Sequence, residues 1–353
     1  MARIPSTTRA RRVFFGLSAA GAAALPGCGE SHGAANAPPA PLQTTAVFGE
    51  VGLSPSQFTY PRAIDTDGTS LWVIDKAAHV QRLNAATGKA TAMWSMPDSV
   101  LGKPCGVTIG PDGLVYIPDT HYHRVMVYKP PAGLDDKAEL VSQWGEFGEG
   151  PGQFIYPTDV AFLTGKNGSI ERIYVTEYGG NDRISAFGPD HRFLFSFGKF
   201  GEGADPASVE FTRPQSIQVD AQRRWLVATD ACSHRVGVFT LDGALVRWIG
   251  SAGAAGSGTD QFAYPYGLAL RPDGTALVTE FGNHRIHHID LETGATVGIY
   301  GRPGRGEGEL TNPWALTVLG DTVYVLDSNN ARVQGFRAPP LLKRPSGAVG
   351  GMG

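Results

Sequence analysis

The chain repeats one pattern of residues six times, and this repeat constrains its fold more than any other feature. In each copy a proline opens an apolar stretch, and a second apolar stretch follows that ends in an acidic residue. The prolines recur every 43 to 57 residues, at Pro61, Pro104, Pro157, Pro214, Pro265 and Pro313. A period of this length is typical of arrays that stack one supersecondary unit on the next.

A basic residue follows most of the acidic ones at a fixed distance. The acids are Asp75, Asp119, Glu177, Asp230, Glu280 and Asp327. Five or six residues later, five copies have an arginine: Arg124, Arg183, Arg235, Arg285 and Arg332. In the first copy His79 stands in this place. An alternating apolar stretch follows, as in residues 124–128, which predicts a third strand. Because the acid and the arginine recur in nearly every copy, we interpret them as structural pairs across a tight turn.

A fourth strand closes each of the first five repeats but is missing after the sixth. It ends just before a glycine in most repeats, as at Trp144, Phe197, Ile249 and Tyr300. The sixth copy ends at Phe336 without a fourth strand, whereas an extra strand of this kind, residues 46–49, precedes the first copy. A closed ring explains both observations, because the N-terminal strand would complete the last sheet and cover its edge. The sequence therefore predicts an all-β, six-bladed β-propeller of four-stranded blades, with the last blade closed by the N-terminal strand.

Composition agrees with this class of fold. The 353 residues include 47 glycines, and charged residues make up 18%. Average proteins have about 7% glycine and about 25% charged residues. A chain so rich in glycine and poor in charge cannot form a coiled coil or a helical bundle, so short strands joined by many turns are expected.

Several motifs resemble the NHL-repeat family. Residues 265–274 and 278–286 follow the family pattern closely, and the pairs His123-Arg124 and His234-Arg235 repeat its His-Arg pair. The glycine-rich loop of residues 145–154 matches too. The resemblance covers about residues 44–337 and implies a six-bladed propeller. It does not imply one function, because this fold carries unrelated activities.

The N-terminus resembles an export signal. Arg11 and Arg12 stand before a short apolar segment in the manner of a twin-arginine signal. Residues 25–28 resemble a lipobox, after which Cys28 would carry the lipid. We therefore expect a signal over residues 1–28, a flexible tether over 29–42, the propeller over 43–337 and a disordered tail over 338–353. This organisation predicts a protein of the periplasm or cell envelope, anchored to the membrane by lipid.

Charge narrows the choice of partner. Four of the 30 basic residues lie in the leader and all 33 acidic residues lie beyond it, which leaves the remainder of the chain with a net charge of about −7. Nucleic-acid binding needs a basic surface, so we expect no nucleic-acid partner. Contact with a membrane is expected only through the lipid anchor.

The residues that differ between copies are the candidate site. In a propeller the residues directly after the repeated prolines surround the mouth of the central channel. Here they are Arg62, Cys105, Thr158, Gln215, Tyr266 and Trp314, and Asp159 adds an acid. The loops joining strands two and three add His121, Tyr178 and Phe281. Aromatic walls with a few convergent polar groups are typical of a site for a peptide, a protein surface or a small molecule. The alternative is that these residues only fill the channel.

Two further functions stay open. One is a metal-dependent envelope lyase or hydrolase of the amidating-lyase or gluconolactonase-like type. Amidating lyases place zinc-binding histidines directly after the repeat prolines, but no histidine stands there in this chain. Zinc would need other ligands, such as His121, Cys105 and Cys232, and calcium would find only Asp159 at the channel. We therefore predict no cofactor, assign no catalytic residue and favour a binding module over an enzyme. The other function is a passive scaffold that contacts a partner complex through its blade edges or its opposite face.

Overall fold

A computed structural model of the protein describes residues 39–202, 208–251 and 253–343. The predicted signal, including Arg11, Arg12 and Cys28, lies outside the described residues. Within the described part, no helix is both long and apolar enough to span a bilayer.

The described residues form six four-stranded antiparallel sheets, which confirms the predicted six-bladed propeller. A lone strand comes first, β1 (Thr44–Phe48). Blade one consists of β2 (Pro61–Thr66), β3 (Ser70–Asp75), β4 (His79–Asn84) and β5 (Ala90–Ser95). Blade two consists of β6 (Thr108–Ile109), β7 (Val115–Asp119), a 3₁₀ turn (Thr120–Tyr122), β8 (Arg124–Lys129) and β9 (Glu139–Trp144).

The next three blades repeat this order. Blade three has β10 (Tyr156–Thr164), β11 (Ile170–Tyr178), β12 (Arg183–Phe187) and β13 (Phe193–Phe197). A short parallel pair, β14 (Lys199–Phe200) and β15 (Glu210–Phe211), lies in the connection to blade four. Blade four has β16 (Pro214–Asp220), β17 (Trp225–Asp230), β18 (Arg235–Thr240) and β19 (Leu245–Ile249). Blade five has β20 (Pro265–Leu270), β21 (Thr275–Glu280), β22 (Arg285–Asp290) and β23 (Thr296–Tyr300).

The sixth blade joins the two ends of the propeller. A second parallel pair, β24 (Arg302–Pro303) and β25 (Glu309–Leu310), leads into it. Its own strands are β26 (Pro313–Leu319), β27 (Thr322–Asp327), a 3₁₀ turn (Ser328–Asn330) and β28 (Arg332–Arg337). The strand order is β1-β28-β27-β26, so β1 from the N-terminal end covers the outer edge of β28. The inner strand β2 of blade one packs beside β26 of blade six, and the ring is closed.

Blade two has the shortest inner strand, and a proline explains why. The β6–β7 ladder pairs Thr108 with Tyr116 and Ile109 with Val115, and continuing this register two residues further would bring Gly106 opposite Pro118. A proline has no N–H to give to a ladder, so pairing stops before this position.

Apolar side chains between adjacent blades form the core. Trp72, Ile74 and Val80 of blade one pack against Ile117 and Met126 of blade two, and the other blade interfaces repeat this arrangement. Burial of such apolar surface supplies the main favourable term in folding.

Hydroxyl groups of the second strand, or of the turn after it, tie each of three blades to the next. Thr229 donates to the carbonyl of Tyr266 at 2.8 Å, and Thr279 donates to that of Trp314 at 3.1 Å. Ser328 donates to the carbonyl of Pro61 at 2.7 Å across the point of closure. Each accepting carbonyl belongs to the start of an inner strand. These bonds therefore fix the end of the central channel at which the inner strands begin.

Short segments beside the propeller are attached to it. Ala40, in the predicted tether, donates its N–H to Ile299 at 2.8 Å. In the predicted tail, Ala338 donates to the carbonyl of Asp321 at 2.8 Å and Leu342 donates to the carboxylate of Asp273 at 2.7 Å.

Candidate functional site

The inner strands of all six blades surround one central cavity of about 340 Å³. Five of the six residues that follow the repeated prolines line it: Arg62, Cys105, Gln215, Tyr266 and Trp314. Asp159 and, three residues beyond Arg62, Asp65 also line it. The structure thus brings together side chains that are up to 252 positions apart in the sequence.

Thr158 differs from the other five. Its side chain is fully buried, and its hydroxyl lies 2.8 Å from that of Thr176 and donates to the carbonyl of Pro214 at 3.0 Å. The hydroxyl therefore links blade three to blade four and does not line the cavity.

Aromatic rings form one wall of the mouth. Tyr266 stacks on Phe281 with ring centroids 4.9 Å apart and meets the edge of Trp314 at 4.8 Å. Tyr60 packs on the other side of Trp314, at 5.7 Å. Burial raises the pKa of Tyr266 to about 12. The Tyr266 hydroxyl is thus neutral at physiological pH and can act as a hydrogen-bond donor.

Two arginines stand over these rings. The Arg62 guanidinium lies 5.3 Å from the ring centroid of Trp314, and its Nη1 lies 3.7 Å from the Cys105 sulfur. The Arg213 guanidinium lies 5.0 Å from the ring of Tyr178 and 5.5 Å from that of Tyr266. Contacts of this kind are cation–π interactions, which strengthen when water is excluded.

The sequence interpretation missed Arg213. It directly precedes Pro214, where three of the other five copies have a tyrosine: Tyr60, Tyr156 and Tyr264. Its φ of 68° lies in the left-handed region, as do those of Tyr60 and Tyr264. A cation in place of the repeated aromatic residue was the signal in the sequence that could have identified it.

Several polar atoms at the mouth are buried without a hydrogen-bond partner among the described residues. They are Nε of Arg62, Nε of Arg213, Oε1 of Gln215 and Nε1 of Trp314. Gln215 and Trp314 are themselves buried, with 4% and 7% of their surface exposed. A buried polar group without a partner costs about 1–3 kcal/mol. These four are among fourteen such atoms in the described residues, and they are the ones that lie at the mouth.

The carboxylates of the channel, in contrast, are well supplied with donors. Asp159 accepts from the Ser216 hydroxyl at 2.7 Å and from the N–H groups of Ile217 and Val160 at 3.0 and 2.9 Å. Asp65 accepts from the N–H of Ile109 at 2.7 Å. Burial raises the pKa of Asp159 to about 6 and that of Asp65 to about 7. Both side chains tie neighbouring blades together from inside the channel.

The other predicted loop residues lie at different distances from the cavity. Phe281 and Tyr178 contact the mouth through Tyr266 and Arg213, as described above. His121 is outside the cavity lining: its Nδ1 meets the backbone of Lys103, and its ring centroid lies 5.4 Å from that of Tyr156. Burial lowers the pKa of His121, so the ring is neutral at pH 7.

The repeated acids and arginines form ion pairs in blades two to six. The pairs are Asp119–Arg124, Glu177–Arg183, Asp230–Arg235, Glu280–Arg285 and Asp327–Arg332, with N···O distances of 2.5 to 3.0 Å. In blade one, Asp75 instead accepts from the backbone N–H groups of Thr59 and His79. Each pair fixes the turn between strands two and three and thus has a structural role.

The repeated histidines serve the same turns. His123, His234 and His284 all have a left-handed backbone, with φ between 53° and 59°. Nδ1 of His234 accepts from the N–H of Tyr264 at 3.1 Å, and Nδ1 of His284 accepts from that of Asn312 at 2.9 Å. These rings hold the loop that enters the next blade, and none lines the cavity.

Within the described ranges, no group of three or more His, Cys, Asp or Glu side chains is arranged to hold a metal ion. Cys105 and Cys232 are both free thiols. Burial raises the pKa of Cys232, which keeps that thiol protonated at neutral pH.

Comparisons with known proteins agree with the repeat. Residues 310–336, in the sixth blade, match the NHL repeat family. The chain is 25% identical over 154 residues to the peptidyl-glycine alpha-amidating monooxygenase of Mus musculus, and 25% identical over 139 residues to that of Rattus norvegicus. These segments make up 44% and 39% of the chain, but only 15% and 14% of the two relatives. The chain therefore matches about a seventh of their length.

Solved structures show the same architecture at low sequence identity. A protein of unknown function from Bacteroides thetaiotaomicron has a TM-score of 0.61 and 16% identity, with 84% of this chain and 75% of that chain covered. An auxiliary nutrient binding protein from Bacteroides ovatus has a TM-score of 0.59 and 11% identity, with 85% of this chain and 78% of that chain covered. The virginiamycin B lyase of Staphylococcus aureus has a TM-score of 0.52 and 15% identity, with 83% of this chain and 99% of that chain covered. The chain is thus a six-bladed β-propeller, and its sixth blade carries an NHL repeat.

Proposed function

We propose that this protein is a binding module whose ligand, a peptide, protein segment or small molecule, occupies the mouth of the central channel. The observation that supports this most directly is the set of buried polar atoms on Arg62, Arg213, Gln215 and Trp314 that have no partner among the described residues. Arg62, Gln215 and Trp314 line the central cavity, and Arg213 lies over the ring of Tyr266 in the aromatic wall beside it. A ligand that reached them would supply the missing hydrogen bonds.

The alternative, a channel filled only for packing, fits these atoms less well. Two other polar side chains at the inner strands, those of Thr158 and Asp159, do bond their polar atoms and link neighbouring blades. The mouth has aromatic area and unbonded donors together, which is the composition of ligand pockets. Its cavity of about 340 Å³ is at the small end of the 300–1,000 Å³ that is usual for such pockets.

We also propose that the module works outside the cytoplasm. Arg11 and Arg12 would direct export, and lipid on Cys28 would hold the propeller at the membrane of the periplasm or cell envelope. The acidic balance of the chain beyond the leader argues against nucleic acid as the partner.

The second candidate is a metal-dependent lyase or hydrolase that uses the same mouth. The similarity to the amidating monooxygenases over 154 and 139 residues favours it. Zinc or calcium would have to bind through a donor set other than a cluster of His, Cys, Asp and Glu in the described residues. Metal analysis of the purified protein tests this candidate, since stoichiometric zinc or calcium would favour the enzyme over the binding module.

Ligand capture tests the binding module. Purified protein is incubated with fractionated envelope extract, and bound compounds are identified by mass spectrometry after washing. Trp314→Ala and Tyr266→Ala should each lose the captured compound. Trp144→Ala is the matched control, because Trp144 stacks on His191 outside the cavity and should not affect capture. Capture that survives the Arg62, Tyr266 and Trp314 substitutions would refute the site.

A further inference from the structure

The two arginines of the mouth come from opposite sides of the ring. Arg62 begins the inner strand of blade one, and Arg213 immediately precedes the inner strand of blade four. The inner strands pack in the sequence β2, β6, β10, β16, β20 and β26, so blades one and four face each other across the channel.

The two guanidinium groups nevertheless converge. Arg62 lies 3.7 Å from Cys105, on the blade next to its own, and Arg213 lies over Tyr178 and Tyr266, on blades three and five. Arg62 also lies 5.3 Å from the ring of Trp314, and that ring meets the ring of Tyr266 at 4.8 Å, so the two rings beneath the two cations are in contact.

Neither cation is neutralised by a carboxylate within the described ranges of the chain. Asp182 accepts the backbone N–H of Arg213 at 2.5 Å, together with those of Gly179 and Gly180, and receives no bond from the guanidinium. Asp159 is occupied by its own donors, as described above. Two positive charges that converge in a half-buried site repel each other unless a negative group lies between them.

We propose that the channel mouth is an oxyanion site, in which a carboxylate, sulfate or phosphate group lies between Arg62 and Arg213. Guanidinium groups are suited to such groups because their planar N–H donors match a pair of oxygens. Nε1–H of Trp314, which has no partner among the described residues, adds a further donor at the same mouth. This inference rests on the proposed function and specifies its ligand as an anion whose apolar part packs on Tyr266, Phe281 and Trp314.

Two probes of equal shape separate charge from apolar packing. 4-Bromobenzoate and its neutral isostere 4-bromobenzamide are titrated by calorimetry at constant ionic strength. We expect the benzoate to bind at least about tenfold more tightly than the benzamide. In crystals soaked with the benzoate, the anomalous signal of bromine should lie against the aromatic wall. Inorganic sulfate and phosphate, titrated separately, should compete with the benzoate and thereby show whether the anion alone suffices.

Variants identify the cations responsible. Arg62→Gln and Arg213→Gln should each weaken binding of the benzoate about tenfold or more and leave binding of the benzamide nearly unchanged. Arg82→Gln is the matched control: Arg82 also lies over a tryptophan, Trp72, but outside the cavity, and both affinities should stay as in the wild type.

The outcomes distinguish this inference from the broader proposal. If both probes bind at the mouth with equal affinity and neither arginine variant changes it, the oxyanion site is refuted while the binding module stands. If the bromine signal lies elsewhere or the benzoate does not bind, the oxyanion site is refuted, and the binding module is then decided by ligand capture alone.

Discussion

The guanidinium of Arg62 lies 5.3 Å from the ring centroid of Trp314, in a contact between the first and the last blade of the propeller. The two residues are 252 positions apart, and both directly follow a repeated proline. The contact exists only because the ring closes, so this part of the wall of the mouth depends on the closure of the fold.

The unpartnered indole of Trp314 leads to a prediction on stability. Trp314→Phe should leave the free energy of unfolding within about 1.5 kcal/mol of the wild type, since no described residue accepts from Nε1 and mainly some packing is lost. Trp72→Phe should cost about 1.5–3 kcal/mol more, because Nε1 of Trp72 donates to the Asp67 carboxylate at 3.0 Å. Denaturant unfolding of both variants measures the difference. Equal losses would mean that Trp314 Nε1 has a structural partner.

The repeated ion pairs should matter for stability and not for ligand binding. Arg235 is fully buried, bonds to Asp230 at 3.0 Å and stacks on Trp248 at 3.6 Å. Arg235→Ala leaves the buried carboxylate without its cation, so we expect a loss of about 3–5 kcal/mol at pH 8.

Denaturant unfolding checks this value, with Lys199→Ala as the control. Lys199 is largely exposed in its pair with Glu210, and its loss should cost no more than about 1 kcal/mol. An Arg235→Ala protein as stable as the control would contradict a structural role for the repeated pairs.

The N-terminal strand should be required for a closed ring. A chain that begins at Pro39 keeps β1, and we expect it and the full chain to unfold alike, each in one cooperative transition. A chain that begins at Gly49 lacks β1, which leaves the edge of β28 open, and we expect it to aggregate or to unfold at a much lower temperature. Calorimetry and size-exclusion chromatography compare the two. Equal stability would show that closure does not depend on this strand.

The channel carboxyl of Asp65 should make stability depend on pH. Burial raises its pKa from 3.8 to about 7, so the folded protein holds this proton more tightly than the unfolded chain. The contribution of this carboxyl group to the free energy of unfolding is therefore fully present below about pH 4 and is lost as the pH rises through about 7.

Asp65→Asn keeps an acceptor for the N–H of Ile109 but does not titrate. The free energy of unfolding of this variant should therefore change less between pH 4 and 7 than that of the wild type. Urea unfolding at several pH values measures this, with the exposed Asp135→Asn as the control that keeps the wild-type profile. A profile of Asp65→Asn parallel to the wild type would refute the buried titration.

The proposed anchor predicts a change of compartment. Cys28→Ala should release the protein from membranes into the soluble envelope fraction, because no other lipid attachment is expected. Fractionation and immunoblotting follow the protein, with Cys105→Ala as the control that keeps the wild-type distribution. Retention of Cys28→Ala in the membrane would refute the lipobox interpretation.

Parts of the site could be predicted because they belong to the repeat. In blades one, four, five and six the repeated proline is the first residue of the inner strand, and it hence identifies Arg62, Gln215, Tyr266 and Trp314 as lining residues. Thr158 has the same position in the repeat but turns its hydroxyl to Pro214, because a small polar side chain can reach the next blade. Arg213 was missed because its role depends on the rings of Tyr178 and Tyr266 in two other blades.

The sequence by itself determined the number of blades, their strand order and the ion pairs of their turns. These features depend on local spacing, and a spacing that recurs six times can be recognised without coordinates. Only the tertiary structure decided that Arg62 and Arg213 converge without a carboxylate from the described residues between them, and that four polar atoms of the mouth have no partner among those residues. Blades one and four are not neighbours in the sequence. Their residues come together at the channel only because the six blades form a closed ring.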